Sequence, residues 1–215
     1  MRYKRILIVG NGSISGRHLR IVRNINITAD IRILHYKKIK KISALANGSF
    51  ECLREACLFK PELSIIANPA TFHISTAIEL AKVGSHLLIE KPLSDSLKGI
   101  SKLRSIAQTN KVVVQVGYNL RFMPSLIKFK DIILGKSLGR ILSVRCEMGQ
   151  YLPNWRPNLD YKKSVSAKKD LGGGVLNELS HELDYLTWIF GRVDCVNAIL
   201  AKQSELEIDV EDLAH

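Results

Sequence analysis

The sequence predicts an α/β protein: a doubly wound parallel sheet in its N-terminal half, followed by a truncated α+β second domain. Three observations carry this. Apolar runs of strand length recur through the first 120 residues, alternating with helix-compatible segments. The first run breaks at a glycine-rich turn that opens a basic helix. Beyond Pro124 the alternation stops, and a glycine-led amphipathic helix dominates what remains.

Arg5–Val9 is the first strand, and Gly10-Asn11-Gly12-Ser13-Ile14-Ser15-Gly16 is the turn into the helix that follows. The second strand is Asp30–Tyr36. Leu63–Ala67 ends at Asn68-Pro69 and feeds a helix over Thr71–Val83. His86–Ile89 ends at Glu90-Lys91-Pro92. A helix over Leu97–Thr109 leads to Val112–Val116, which ends at Gly117-Tyr118-Asn119. The domain joint is expected near Arg121–Pro124, giving domains of residues 1–120 and 121–215. In the second, a helix Ser125–Leu134 precedes a strand Leu138–Gln150, the helix Gly174–Gly191 and a strand Val193–Ala201. The final Glu211–His215 reads as the start of another strand, so the second domain looks short and its sheet edge open.

The glycine turn carries the first chemistry. In a dinucleotide-binding turn the first glycine makes the bend and the second lets the backbone approach the pyrophosphate. Gly10 and Gly12 hold those places, and Ser13 and Ile14 form the helix N-terminus on which phosphates sit. The third place, where helix and strand must pack closely, is Ser15, with a glycine one position late at Gly16. The second strand ends without a carboxylate for the ribose 2′-hydroxyl of NAD. Lys37 and Lys38 stand there instead, which leans toward NADP; a solvated lysine loop is the plainer alternative. Ligands of open α/β sheets bind outside the carboxyl ends of the strands, so Asn68, Lys91 and Asn119 are candidates to converge on one crevice. Lys91 is either a donor to a substrate oxygen or an ordinary loop lysine paired with Glu90.

The segment Gly172–Gly191, GGGVLNELSHELDYLTWIFG, is the second chemical signal. At about 100° per residue Leu176, Leu179, Leu183, Leu186 and Phe190 form one apolar stripe. Asn177, His181 and Asp184 form another, with Trp188 one turn on. Histidine is the side chain best suited to exchange a proton near neutral pH, so His181 is the candidate acid–base group.

GNGSISGRHLR, NPATFH, EKP at Glu90–Pro92, GYNLRF at Gly117–Phe122 and the glycine-led histidine helix occur in that order. Together they resemble the glucose–fructose oxidoreductase / inositol dehydrogenase (Gfo/Idh/MocA) family of NAD(P)-dependent sugar oxidoreductases, over nearly the whole chain. The resemblance implies a Rossmann domain and a catalytic pair, Lys91 and His181, flanking the sugar carbon that exchanges hydride. It implies that Asn68, Pro69, His73, Glu90 and Asn119 line the cofactor site, and that Trp155 and Arg156 approach it from the second domain. The stretch from Gln150 to Gly191 looks most like members acting on nucleotide-activated sugars in surface-polysaccharide synthesis. Asn177 is the third catalytic candidate and departs from the pattern: the family commonly has an aspartate one turn before the histidine, and an amide can hold a hydroxyl by hydrogen bonding but cannot accept a proton as a carboxylate does.

Composition bounds the alternatives. The 215 residues carry a net charge of +12, from 32 Lys and Arg against 20 acids, which raises nucleic-acid binding. The lysines are scattered and no recognition helix or stacking motif accompanies them, so a cofactor and nucleotide-sugar site is the better use of the charge. No apolar run approaches membrane-spanning length, and the four cysteines show no metal spacing; they read as reduced and buried in a cytoplasmic protein. The sequence therefore predicts an NADP- or NAD-dependent sugar oxidoreductase, homo-oligomeric through its second-domain sheet, without a metal, membrane or nucleic-acid partner. The alternative is a dinucleotide-binding remnant or regulator without turnover.

Overall fold

The computed structural model describes residues 3–36 and 42–215, and the chain divides into two compact units, Met1–Gly117 and Tyr118–His215. In the first, β1 (Arg5–Val9), α1 (Ser13–Ile25), β2 (Asp30–Leu34), β3 (Gly48–Phe50), α2 (Leu53–Leu58), β4 (Leu63–Ile66), α3 (His73–Lys82), β5 (His86–Ile89), α4 (Ile100–Thr109) and β6 (Val114–Val116) follow one another. The six strands form one parallel sheet in the order β3-β2-β1-β4-β5-β6. The short β3 and α2, over Gly48–Leu58, lie outside the sequence prediction, because three half-buried strand residues and a six-residue helix leave little periodicity to read.

The strands are apolar on both faces because helices cover both, as parallel sheets require. Ile6, Ile8, Ile31, Ile33 and Ile65 pack with Leu19 of α1 on one side. Leu7, Val9, Leu34, Ile66, Leu87 and Ile89 pack with Ala77, Leu80, Ala81 and Leu103 of α3 and α4 on the other. The alternation along β1 places successive residues in opposite cores. The strand order reverses between β1 and β4, whose carboxyl ends carry the glycine turn and the Asn68-Pro69 corner.

The second unit holds α5 (Pro124–Leu134), α6 (Leu152–Trp155), α7 (Val175–Glu178), α8 (Ser180–Phe190), β7 (Leu200–Ala201) and β8 (Leu213–Ala214). Three sequence expectations fail here. Leu138–Gln150 forms no strand, and Ile141, Leu142, Val144 and Met148 stand exposed on unpaired chain. A strand exists only where a neighbour takes its backbone hydrogen bonds, and none of the described residues does so. Of Val193–Ala201 only Leu200–Ala201 pairs, antiparallel with β8. The predicted single helix breaks at Leu179, and its apolar stripe is not a buried face: Leu176 and Leu183 are exposed, while Ser180 and Ile189 are the buried residues of α8. The cysteines are all free, but Cys52, Cys146 and Cys195 are exposed and not buried as expected. Among the described residues no helix is long and apolar enough to cross a membrane.

Candidate active site

In the first unit the glycine turn sits where the sheet order reverses. Gly10 has φ +109°, and a Cβ there would lie 2.7 Å from Ala67 O and 2.8 Å from Ser15 Oγ. Only glycine fits both the dihedral and the space. Ser15 is 3% exposed and donates to Ala67 O at 3.3 Å, which explains a serine at the third fingerprint place: it packs the helix against β4 and bonds across the switch point. Gly12 differs. It is exposed, its φ is −78°, and a Cβ would meet nothing within 4 Å, so the fold does not require a glycine there. No side chain caps α1 and no acid occupies its first turn, so the N–H groups at Ser13 and Ile14 face outward at the positive end of the helix dipole.

The corners after β4 and β5 are joined through His73. Its ring nitrogens lie 2.7 Å from Asn68 O and 2.9 Å from Pro92 O, and the residue is 1% exposed. Burial holds this imidazole below its ordinary pKa, although the two carbonyls favour the proton. His73, expected to touch the cofactor, is thus enclosed and braces the two corners. Asn68 Oδ1 and Thr71 Oγ1 are buried without a hydrogen-bond partner, so this corner has bonding capacity that the fold leaves unused. Pro69 starts the short turn Ala70–Phe72.

Glu90, directly after β5, reaches back to α1: its Oε1 lies 2.6 Å from His18 Nε2, and its Oε2 accepts from the Lys91 amide at 3.3 Å. Burial pushes this carboxyl up, but the His18 bond and charge, with the Lys91 amide and ammonium, outweigh it and hold the group below its usual pKa. Glu90 is thereby committed to His18, and the half-buried Lys91 follows it into a cis bond with Pro92. Lys37 and Lys38 lie outside the described residues.

In the second unit three glycines shape the start of α7. Gly174 has φ +101°, and a Cβ on Gly173 would come within 2.6 Å of Ser166 O. Asn177 Nδ2 donates to Gly172 O and Gly173 O at 3.3 and 3.2 Å, so the expected catalytic amide braces the glycine turn. His181, on α8, meets the ring of Tyr118 edge-on at 5.7 Å. Asp184 is held by Arg121 through two hydrogen bonds. Asn119 lies in the first turn of this unit, directly after Tyr118. Trp155 is half-buried and lines a cavity of about 330 Å³ with Tyr151, Leu152, Val175 and Leu179, whereas Arg156 is exposed beside it.

Sequence reasoning passed over His18, Thr71, Tyr118 and Arg121. All four stand inside the motifs GNGSISGRHLR, NPATFH and GYNLRF, so their signal was present but unassigned; for His18 the motif does not reveal its partner, 72 positions away.

Residues 4–118 match the oxidoreductase family, NAD-binding Rossmann fold, and residues 126–215 match the GFO/IDH/MocA C-terminal domain. The chain belongs to the Gfo/Idh/MocA family. Its first unit is an NAD-binding Rossmann domain, and the residues present fit that group: an open Gly12, an uncapped α1 and an unpartnered Asn68 Oδ1. Levoglucosan dehydrogenase of Pseudarthrobacter phenanthrenivorans is 30% identical over 138 residues, 63% of this chain and 35% of that protein. Glucose-6-phosphate 3-dehydrogenase of Bacillus subtilis is 25% identical over 94% of this chain and 58% of its own. The WlbA dehydrogenase of Bordetella pertussis, solved with NADH and UDP-GlcNAcA, superposes with a TM-score of 0.84 at 24% identity, covering 99% of this chain and 62% of that one. At that identity the likeness shows the fold. The chain spans about half the length of the curated relatives it matches.

Proposed function

We propose that this protein is a cytoplasmic NAD(P)-dependent oxidoreductase acting on a sugar hydroxyl or keto carbon, with a nucleotide-activated sugar as substrate, in surface-polysaccharide synthesis. The observation that carries the cofactor half is the switch point, where Gly12 and the uncapped α1 leave room and positive potential for a pyrophosphate beside Asn68. The WlbA likeness supports the nucleotide sugar, and the sugar dehydrogenases among the relatives support the reaction class.

In this reading Gly10, Gly12, Ser13 and Ile14 hold the pyrophosphate and Asn68 and Pro69 the adjoining edge, with His73 and Glu90 fixing the corners. Asn119, Trp155 and Arg156 contribute from the second unit. The bound dinucleotide supplies hydride acceptance or donation at its nicotinamide. Lys91 donates a hydrogen bond to the sugar oxygen and lowers the cost of its ionising, and His181 takes its proton. Lys37 and Lys38 bias the choice toward NADP, and the protein works as a homo-oligomer through its second unit.

A second reading, dinucleotide binding without turnover, is favoured by Asn177, whose amide is engaged with two glycine carbonyls where a family acid would stand. A thermal-shift screen of NAD, NADP and a panel of nucleotide sugars, followed by a turnover assay on the hits, separates the two. Stabilisation by a dinucleotide and a sugar nucleotide together, with turnover, is the expected result. Dinucleotide binding with no turnover on any sugar supports the second reading, and no stabilisation by either dinucleotide overturns both.

A further inference from the structure

We propose that Arg121 is a positioning residue for His181, acting through Asp184. This rests on the reading of His181 as the proton acceptor.

The helix that carries His181 meets α5 through the edge-on rings of Phe190 and Phe129, 6.4 Å apart, and its Tyr185 hydroxyl lies 3.1 Å from Cys146 Sγ, but little of it is buried. Leu179 (φ −97°, ψ 24°) separates α8 from α7, and only Ser180 and Ile189 of α8 are buried. Side-chain contacts must therefore set its rotation and register. Four residues make the matching pairs. Tyr118 and Arg121 lie three apart in the tight turn that opens the second unit, a spacing that brings side chains to one side. His181 and Asp184 lie three apart on α8 and share a face. Tyr118 meets His181 edge-on, at 5.7 Å between centroids and 76° between planes. Arg121 grips Asp184 with both arms of its fork, Nε to Oδ2 at 2.8 Å and Nη2 to Oδ1 at 2.7 Å, and the Asp184 side chain is 9% exposed.

A bidentate fork fixes direction as well as distance. The same guanidinium lies 5.7 Å over the ring of Trp188, one turn further along α8, which also takes Lys130 Nζ at 3.8 Å. A slip of α8 by one residue would break the Asp184 fork and the Tyr118 contact together. The clamp also pairs the Asp184 charge one turn from His181, so that removing either partner leaves an uncompensated charge on the helix face that carries the imidazole. The other titratable side chains on α7 and α8 are Glu178, Glu182 and Tyr185; the turn before α5 presents Tyr118 and Arg121 to α8, and α5 presents Lys130, while Glu178 already accepts from Ser166 Oγ at 2.6 Å.

The test is an NMR titration of the imidazoles in the full chain without ligand, with His181 assigned by the resonance missing from His181→Gln. Arg121→Gln uncovers the Asp184 charge and should raise the His181 protonation constant about threefold, whereas Asp184→Asn uncovers Arg121 and should lower it by a similar factor. The double variant should return near the wild-type value. Arg121→Lys keeps the charge but loses the fork, so the His181 titration should hold while the Tyr118–His181 cross-relaxation weakens; this variant also serves if Arg121→Gln does not fold. Unchanged His181 titration in both single variants, or unchanged cross-relaxation in Arg121→Lys, overturns the proposal. The titration needs neither substrate nor cofactor, so it reads the clamp whether or not His181 takes part in turnover.

Discussion

Gly10 and Gly12 stand two residues apart in one motif, yet the structure assigns them different jobs, and alanine substitution separates them. At Gly10 the φ of +109° and a Cβ 2.7 Å from Ala67 O oppose any side chain. An unfavourable dihedral costs about 1–3 kcal/mol and an overpacked contact a similar amount, so Gly10→Ala should lose about 2–5 kcal/mol of stability. At Gly12 the φ is −78° and nothing lies within 4 Å, so Gly12→Ala should hold or gain stability, by up to about 1 kcal/mol through a less flexible unfolded chain. Its methyl would instead meet an incoming pyrophosphate, and NADH affinity should fall tenfold or more, about 1.4 kcal/mol. Urea denaturation and NADH fluorescence titration of both variants read the two effects. Wild-type NADH affinity in Gly12→Ala would refute the placement of the pyrophosphate, and wild-type stability in Gly10→Ala would refute the steric argument.

Four further outcomes are expected. Lys91→Ala and His181→Ala should each cut turnover by roughly a hundredfold, with dinucleotide affinity little changed; near-normal turnover removes that residue from the chemistry. Titrating NAD and NADP into the wild type and Lys37→Asp/Lys38→Asp should show a preference for NADP that the variant reverses, and no shift would leave these lysines a solvated face. Because the folded-state pKa of Glu90 is lowered, its carboxylate stabilises the fold above its ordinary pKa, and this is lost as pH falls through the lowered value. Wild type should therefore exceed Glu90→Gln in urea resistance at pH 7, with the gap closing toward pH 3; a pH-independent gap contradicts the His18–Glu90 account. Limited proteolysis should cut first in the unpaired, apolar chain around Ile141–Met148 and leave a resistant core ending near Gly117. Equal resistance of the second unit in a monomeric sample would show that its exposed apolar residues do not weaken it.

The sequence alone specifies the parallel sheet, because burial on both faces writes strands as short unbroken apolar runs, and β1 and β5 can be bounded to the residue. It also specifies the dinucleotide turn, since glycines at fixed offsets answer to local backbone geometry. Tertiary structure alone decided what each polar residue does. His73 reads as a ligand contact in sequence and proves to be a buried brace, because its partners, two main-chain carbonyls, leave no trace in residue type. Asp184 reads as part of a polar face and proves to be the grip of Arg121, 63 positions away. The second unit was least legible for the same reason. A strand over Leu138–Gln150 is a statement about apolar content, whereas forming one depends on a neighbour's backbone, which no local pattern contains.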